Sequence, residues 1–418
     1  MSSSAAREPS RRSLFALDWV NFFLADVQGG IAPFLSIYLL ASLNWTPGLI
    51  GVAVSAAGIA TLVLQTPAGA LVDRINWKRH LMALAMLVIA AGSFATGTSD
   101  GFFPIVSAQV AIGAAGTFLT PMVAALTLGI VGYKRMSQRQ GRNQVFNHAG
   151  NLAAAVSAGV VGYFIARAGI FYLAAFMALI ALIPIYAIRE RDIDHRLARG
   201  AEDSASASGL AGFSVLLRDR RLLIYASSVV LFHFANAAML PLVGQYLATG
   251  AGHGASLYMS ACIITAQLVM IPMAAFSGRF AQRWGRKPIF LIAFIFLPIR
   301  GILFALDNNA YYLVSVEVLD GLSNGIFGVV NVLIIADLTR GTGRYNVTQG
   351  MIATAIAAGA TLSNMLSGFV VDATGYVGGF VFLAAVAMTA LALFYFGVAE
   401  TGEPEAQPRW LANVTVSG

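Results

Sequence analysis

Long apolar runs separated by short polar or basic connections dominate the chain. No Asp, Glu, Lys or Arg occurs from Val27 to Val72 or from Leu222 to Gly278. A spanning helix needs about 20 apolar residues, so each of those stretches can cross a bilayer twice. Reading the apolar periods along the chain predicts twelve spans, near residues 14–41, 46–71, 81–98, 103–132, 143–168, 170–188, 221–248, 255–280, 287–306, 310–339, 347–371 and 376–397. The expected architecture is an all-α integral membrane protein. It comprises a basic tail (1–13), a six-helix bundle (14–188), a linker (189–220), a second six-helix bundle (221–397) and a C-terminal tail (398–418).

Composition narrows the function. Of 418 residues, 58% are hydrophobic and 11% charged, against roughly 45–50% and 25% in soluble domains, so a water-soluble fold is excluded. The net charge of +7 sits in short basic clusters between apolar runs, which argues for membrane topology and against nucleic acid. With the N-terminus inside, nearly all Lys and Arg fall in inner loops, leaving Arg167 in an outer loop and Arg300 within a span. Both termini are then cytoplasmic. Arginine enrichment over lysine suggests a GC-rich bacterial genome, and the expected location is the bacterial inner membrane. The lone Cys262 excludes internal disulfides, and the scattered histidines give no metal motif; neither metal nor cofactor is expected.

The linker mixes Arg with acids around a Ser/Ala/Gly stretch and reads as flexible, with the run Glu190 to Arg199 as a solvated charge cluster. On either side of it the sequence repeats. GALVDRINWKR at 69–79 corresponds to GRFAQRWGRKP at 278–288, pairing Gly69 with Gly278, Arg74 with Arg283 and Lys78 with Lys287 at an offset of 209. SAQVAIG (107–113) pairs with SVEVLDG (315–321), and PFLSIYL (33–39) with PLVGQYL (241–247), at 208. Three matches at nearly one spacing indicate duplication, and six spans between equivalents make the halves parallel.

With these motifs the chain resembles the major facilitator superfamily of secondary transporters over about residues 14–397. The family signature is a Gly-x-x-x-Asp-Arg/Lys-x-Gly-Arg-Arg/Lys loop between the second and third helices of each half. The first copy here keeps Gly69, Asp73, Arg74 and Lys78; the second keeps Gly278, Arg283, Gly285, Arg286 and Lys287 but has Gln282 in place of the acid. The resemblance implies alternating access, with this loop as a conformational latch. Physically, the glycines would permit close helix approach, while an acid and cations at helix ends can make charge-assisted contacts. Gln109 stands where many proton-coupled members carry Arg, and the fifth helix has Gly150, Gly159 and Gly162 without the proline of antiporters.

An ionisable group at mid-membrane costs about 3 kcal/mol on insertion scales and therefore faces a cavity or a partner. Asp26 lies near the middle of the first span and is the leading candidate to couple cargo to protons, with Gln28 beside it. His233 and Asn236 sit at the same level of the seventh span, where Asn236 corresponds to Gln28. Asn143, Asn147 and Asn151 form an i, i+4, i+8 stripe beside His148 that can line a cavity. Arg300, Glu317 and Asp320 share one depth on adjacent spans, so Arg300 is expected to neutralise one acid and leave the other titratable.

Few charges inside the spans suit amphiphilic cargo. The expected activity is proton-coupled efflux of a small amphiphilic organic compound, by a monomer in the lipid bilayer. Proton-coupled uptake of a small organic nutrient is the alternative. An integral-membrane enzyme or a passive channel is disfavoured, because no catalytic constellation is evident and the paired loops imply alternating access.

Overall fold

A computed structural model describes residues 9–25, 31–199, 219–340 and 345–402. The predicted Asp26 and Gln28 lie outside the described residues. The chain is helical almost throughout, as apolar surroundings require: with no water to bond backbone groups, each segment must satisfy its own. In chain order the helices are α1 (Arg11–Ala25), α2 (Ile31–Ala41), α3 (Pro47–Arg74), α4 (Lys78–Thr98), α5 (Phe102–Gly116), α6 (Leu119–Phe164), α7 (Gly169–Ile180) and α8 (Leu182–Ala187). Then follow α9 (Arg220–Ala237), α10 (Met239–Gly250), α11 (Ala255–Trp284), α12 (Arg286–Leu306), α13 (Ala310–Val316), α14 (Val318–Leu338) and α15 (Tyr345–Gly397). Side-chain caps open several of them. Thr46 accepts from the Leu49 amide ahead of Pro47, Asp219 accepts from the amides of Arg221 and Leu222, and Asn309 from those of Tyr311 and Tyr312.

Among the described residues, nine helical stretches are long and apolar enough to cross a membrane. Two predicted connections differ from expectation. Residues 133–142, expected as a loop, are helical, and α6 bends only where Gly132 takes φ 68°; α15 likewise bends at Gly375, φ 78°. Glycine can take up such a turn without a loop around it.

The chain divides into two compact units. The first contains Met1–Ala207, Leu240–Ile264 and Asn364–Gly375. Its core is a close-packed set of aliphatic and methionine side chains, including Leu17, Val20, Met82, Met86, Met122 and Leu126. At the N-terminal end of α3, segments from the second half of the sequence are tied in. The Gly48 amide donates to Asp372 at 2.9 Å, and a Cβ on Gly51 would lie 2.3 Å from the Asn364 carbonyl oxygen. Ser260 donates to the Ala155 carbonyl at 2.5 Å, and Arg167 to the Gly252 carbonyl at 3.0 Å. The second unit, Ser208–Met239, Thr265–Ser363 and Tyr376–Gly418, has an aromatic core. Phe294 stacks on Phe394 with centroids 4.6 Å apart and Phe232 on Phe327 at 4.8 Å, while Phe290 bridges the two pairs.

Candidate functional site

The second unit gathers ionisable and amide side chains from α9, α12 and α14. Arg300, on α12 and almost fully buried, forms an ion pair with Asp320. Its Nη2 donates to Asn236 Oδ1 at 2.7 Å, and its Nε faces the Met239 sulfur at 3.2 Å. Asn324 donates to Asp320 at 2.8 Å, and Asn236 reaches Asn324 at 3.4 Å. Glu317 falls at the one-residue break between α13 and α14; it is fully buried, and neither carboxylate oxygen has a hydrogen-bond partner. Its charge is close enough to Arg300 to interact electrostatically. A guanidinium therefore stands between one carboxylate that it holds and another that it only attracts.

Asn236 therefore belongs to the Arg300 cluster, whereas the sequence had grouped it with His233. One helical turn away, His233 has its ring edge against Phe327 at 4.6 Å and its Nε2 without a hydrogen-bond partner. Of the predicted stripe on α6, Asn151 donates to Asn147 at 3.2 Å, His148 is half-buried beside them, and Asn143 is taken up by Arg139 and Thr127.

The repeated loops use their cations to close helix ends. Buried Lys78 donates to the carbonyls of Val72 and, at 2.9 Å, Ile75 at the C-terminal end of α3, while Asp73 and Arg74 are exposed. Arg79 donates to Glu190 at 2.6 Å and to the Ile188 carbonyl at 2.5 Å, beyond α8. In the second loop Arg286 donates to the Ala281 carbonyl at 2.8 Å and pairs with Asp337 at 3.1 Å; Lys287 donates to the Tyr395 carbonyl at 2.7 Å. The acid missing at Gln282 is supplied from elsewhere: Glu400 accepts from the backbone amides of Arg286 and Lys287.

By function, then, Lys78 corresponds to Arg286 and Arg79 to Lys287, an offset of 208. This corrects the 209 pairing of Lys78 with Lys287. The reason is a turn of different length: three residues, Ile75 to Trp77, join α3 to α4, whereas Gly285 alone, at φ 96°, joins α11 to α12. The expected close approach at the loop glycines is absent. A Cβ on Gly69 would meet nothing within 4 Å, and one on Gly278 only Val329 at 3.6 Å, because the cations and not the glycines make the contacts here. Arg283 is exposed.

The charge run after α8 is anchored rather than free. Ser10 and Ser13 both bond the Asp192 carboxylate, Ser13 at 2.6 Å, and Asp194 accepts from the amides of Arg196 and Leu197. One buried group went unread in the sequence. Asp18, two turns into α1 and fully buried, takes Arg142 in a two-point contact at 2.7 and 2.9 Å and Arg139 at 2.7 Å, and Arg139 holds Asn143. The signal was available only in part: an acid so near the start of a span looks interfacial until its partners are seen.

Ionisable groups buried among membrane-spanning helices are costly and point to a functional site of a membrane protein. The sequence matches the profile of the Major Facilitator Superfamily over residues 17–297 and again over 259–417, and the chain belongs to that family. It is 42% identical to an uncharacterized MFS-type transporter of Mycobacterium tuberculosis, across 98% of both chains. Over 36% of its length it is 29% identical to multidrug resistance protein 1 of Bacillus subtilis, covering 37% of that protein. Its fold is similar to that of the nucleoside transporter NupG, with a TM-score of 0.79 at 17% identity over 93% of this chain and all of the other. The protein is thus a multi-pass membrane transporter of small-molecule cargo.

Proposed function

We propose that the protein exports a small amphiphilic organic compound in exchange for protons, by alternating access, as a monomer in the bacterial inner membrane. Twelve spans are consistent with nine apolar helical stretches of which Val347–Gly397 is bent at Gly375, together with α1–α2 and the second limb of α6. The end of the first unit where α1 begins carries Arg11, Arg12, Arg74, Lys78, Arg79, Arg139 and Arg142, and the positive-inside rule makes that end cytoplasmic.

The observation that carries the coupling is Glu317, a buried carboxylate with unbonded oxygens beside the Arg300–Asp320 pair. An unbonded carboxylate changes charge with its surroundings at little structural cost, so a proton and a cationic amphiphile can compete for it. Asp26 is assigned the same role in the first half, and Asn147, His148, Asn151 and His233 contribute to the cargo cavity. The helix-end networks at Asp73–Lys78 and Gly285–Lys287 act as latches that must reform between states. Aromatic and apolar neighbours of His233 favour amphiphilic cargo, and the partial likeness to a multidrug resistance protein favours export.

The test is the uptake of a permanently charged quaternary ammonium dye into proteoliposomes with the membrane potential clamped. Cargo moves against protons in an antiporter whichever way the protein is inserted. An acidic lumen should therefore drive dye accumulation, and Glu317→Gln or Asp26→Asn should abolish it. Accumulation driven only by an acidic exterior would establish uptake by symport instead. Equilibration indifferent to the gradient would establish a passive path.

A further inference from the structure

Arg300 is held from three sides, and none of them is Glu317. A guanidinium has five N–H donors in a fixed planar fork. Its Nε faces the Met239 sulfur at 3.2 Å, Nη1 is paired with Asp320, and Nη2 donates to Asn236 Oδ1 at 2.7 Å with the Asn236 carbonyl oxygen 3.5 Å away. One donor at most is left for a second carboxylate. Glu317, which Arg300 attracts, has no hydrogen-bond partner on either oxygen.

Asn236 is itself fixed. Its Nδ2 reaches Asn324 Oδ1 at 3.4 Å, and Asn324 Nδ2 donates to Asp320 at 2.8 Å. The side chains of Arg300, Asn236, Asn324 and Asp320 thus close a ring across α9, α12 and α14, each amide committing its oxygen on one side and its nitrogen on the other. Asn236 stands two residues before the break at Ala238 between α9 and α10, and the Ala238 amide donates to the Ser363 hydroxyl of α15 at 3.1 Å. Gly301, next to Arg300, leaves room for Met239: a Cβ there would lie 3.0 Å from the Met239 methyl carbon. With Arg300 and Asp320 charged, the ring is neutral, so the charge of the whole cluster is that of Glu317. An acid at position 236 would also hold the guanidinium but would add a charge; an amide supplies the acceptor without one.

We propose that Asn236 is a positioning residue: it keeps the Arg300 guanidinium turned to Asp320 and away from Glu317, so that Glu317 stays free for a proton or a cationic cargo. This rests on the coupling role of Glu317 given above. Without the Asn236 oxygen, Nη2 loses its partner, and a buried donor is costly to leave unsatisfied. Glu317 is the carboxylate of the cluster with oxygens to spare, and the guanidinium turns to it, occupying the group that the cargo needs.

The test is labelling with dicyclohexylcarbodiimide, an apolar reagent that reacts with the neutral form of a buried carboxylic acid. The acid's proton passes to a carbodiimide nitrogen, the carboxylate oxygen bonds to the central carbon, and the adduct rearranges to a stable N-acylurea. Full-length protein in nanodiscs is labelled in mildly acidic buffer, and modification of Glu317 is read by peptide mass spectrometry. Wild-type Glu317 should be modified. Asn236→Leu and Asn236→Ala should each lower that modification roughly tenfold or more, because an ion-paired carboxylate stays charged and does not react. Asn236→Leu/Arg300→Gln/Asp320→Asn, which has no guanidinium to turn, should recover it. Cooperative thermal unfolding of each variant verifies its fold. A merely structural Asn236 would loosen the site on removal and leave labelling equal or higher. Labelling of the two single variants at or above the wild-type level, a loss that persists in the triple variant, or no labelling of wild type would overturn the proposal. Wild-type-like, gradient-driven dye accumulation by Glu317→Gln would instead overturn the coupling role of Glu317, whatever the labelling shows.

Discussion

Glu400 caps the helix that Arg286 opens: its two carboxylate oxygens accept from the backbone amides of Arg286 and Lys287 at 2.8 and 3.0 Å. The first amides of a helix have no partner within it, and a carboxylate there also meets the positive end of the helix dipole. The cap thus ties the chain following α15 to the start of α12. Glu400→Gln should cost about 1 kcal/mol of stability, read as a fall in Tm in detergent. Gly285→Ala should cost more, because it imposes a side chain at φ 96° with its Cβ 2.5 Å from Glu400 Oε2. Equal Tm values for Glu400→Gln and wild type would remove the cap from the account.

The Arg300 cluster predicts an asymmetric double-mutant cycle. Arg300→Leu leaves Asp320 unpaired in an apolar site and should cost about 3–5 kcal/mol, part of which Asp320→Asn should restore. Glu317→Gln, by contrast, breaks no hydrogen bond and should leave Tm nearly unchanged while altering transport. Strict additivity of Arg300→Leu with Asp320→Asn would show that the pair is not coupled.

Acid sensitivity should appear where α1 begins. Burial alone would push the Asp192 pKa up, but the hydrogen bonds from Ser10 and Ser13 and the charge of Arg191 outweigh it and hold it below the usual 3.8. A carboxylate with a depressed folded pKa contributes stability above its unfolded pKa and loses it as pH falls through the folded value. Ser13→Ala should lower Tm at pH 7 by the equivalent of no more than about 1 kcal/mol, since the site is partly solvent-screened. The two proteins should converge once the pH falls below the folded-state pKa of Asp192, that is, below the usual carboxylate range. A Tm difference independent of pH would assign the loss to the Ser13 bond with the Arg189 amide.

Bulk at the N-terminal end of α3 should force that contact apart. Gly51→Val sets a side chain against the Asn364 carbonyl and should cost about 1–3 kcal/mol in the conformation described. Spin labels flanking Pro47 and Gly368 should show a shift to longer distances; an unchanged distance distribution would mean that the seam accommodates the side chain.

The helices and the clustering of charge at helix ends were legible because apolar period and loop charge are local signals. Bends at Gly132 and Gly375 were not, since a glycine between two apolar runs reads as a loop whether or not the helix resumes at once. The register of the two loops was misplaced by one residue for a similar reason: a one-residue turn at Gly285 and a three-residue turn at Ile75 to Trp77 look alike until the cations are seen on their carbonyls. Partners remote in sequence were out of reach altogether. Nothing near Gln282 points to Glu400, and nothing near Asp18 points to Arg139 and Arg142. Arg300, Glu317 and Asp320 could be grouped because adjacent antiparallel spans put them at one depth, yet Asn236 joined them only through the packing of α9.

The Asp18 ion pairs also impose an order on biogenesis. Asp18 leaves the ribosome 121 residues ahead of Arg139. At roughly 5–20 residues per second, α1 must wait about 6–24 s with its carboxylate unpaired before the arginines emerge. The first helix is therefore a provisional membrane segment until α6 arrives, and substitutions at Arg139 should surface as failed insertion or rapid degradation of newly made protein before any effect on transport can be measured.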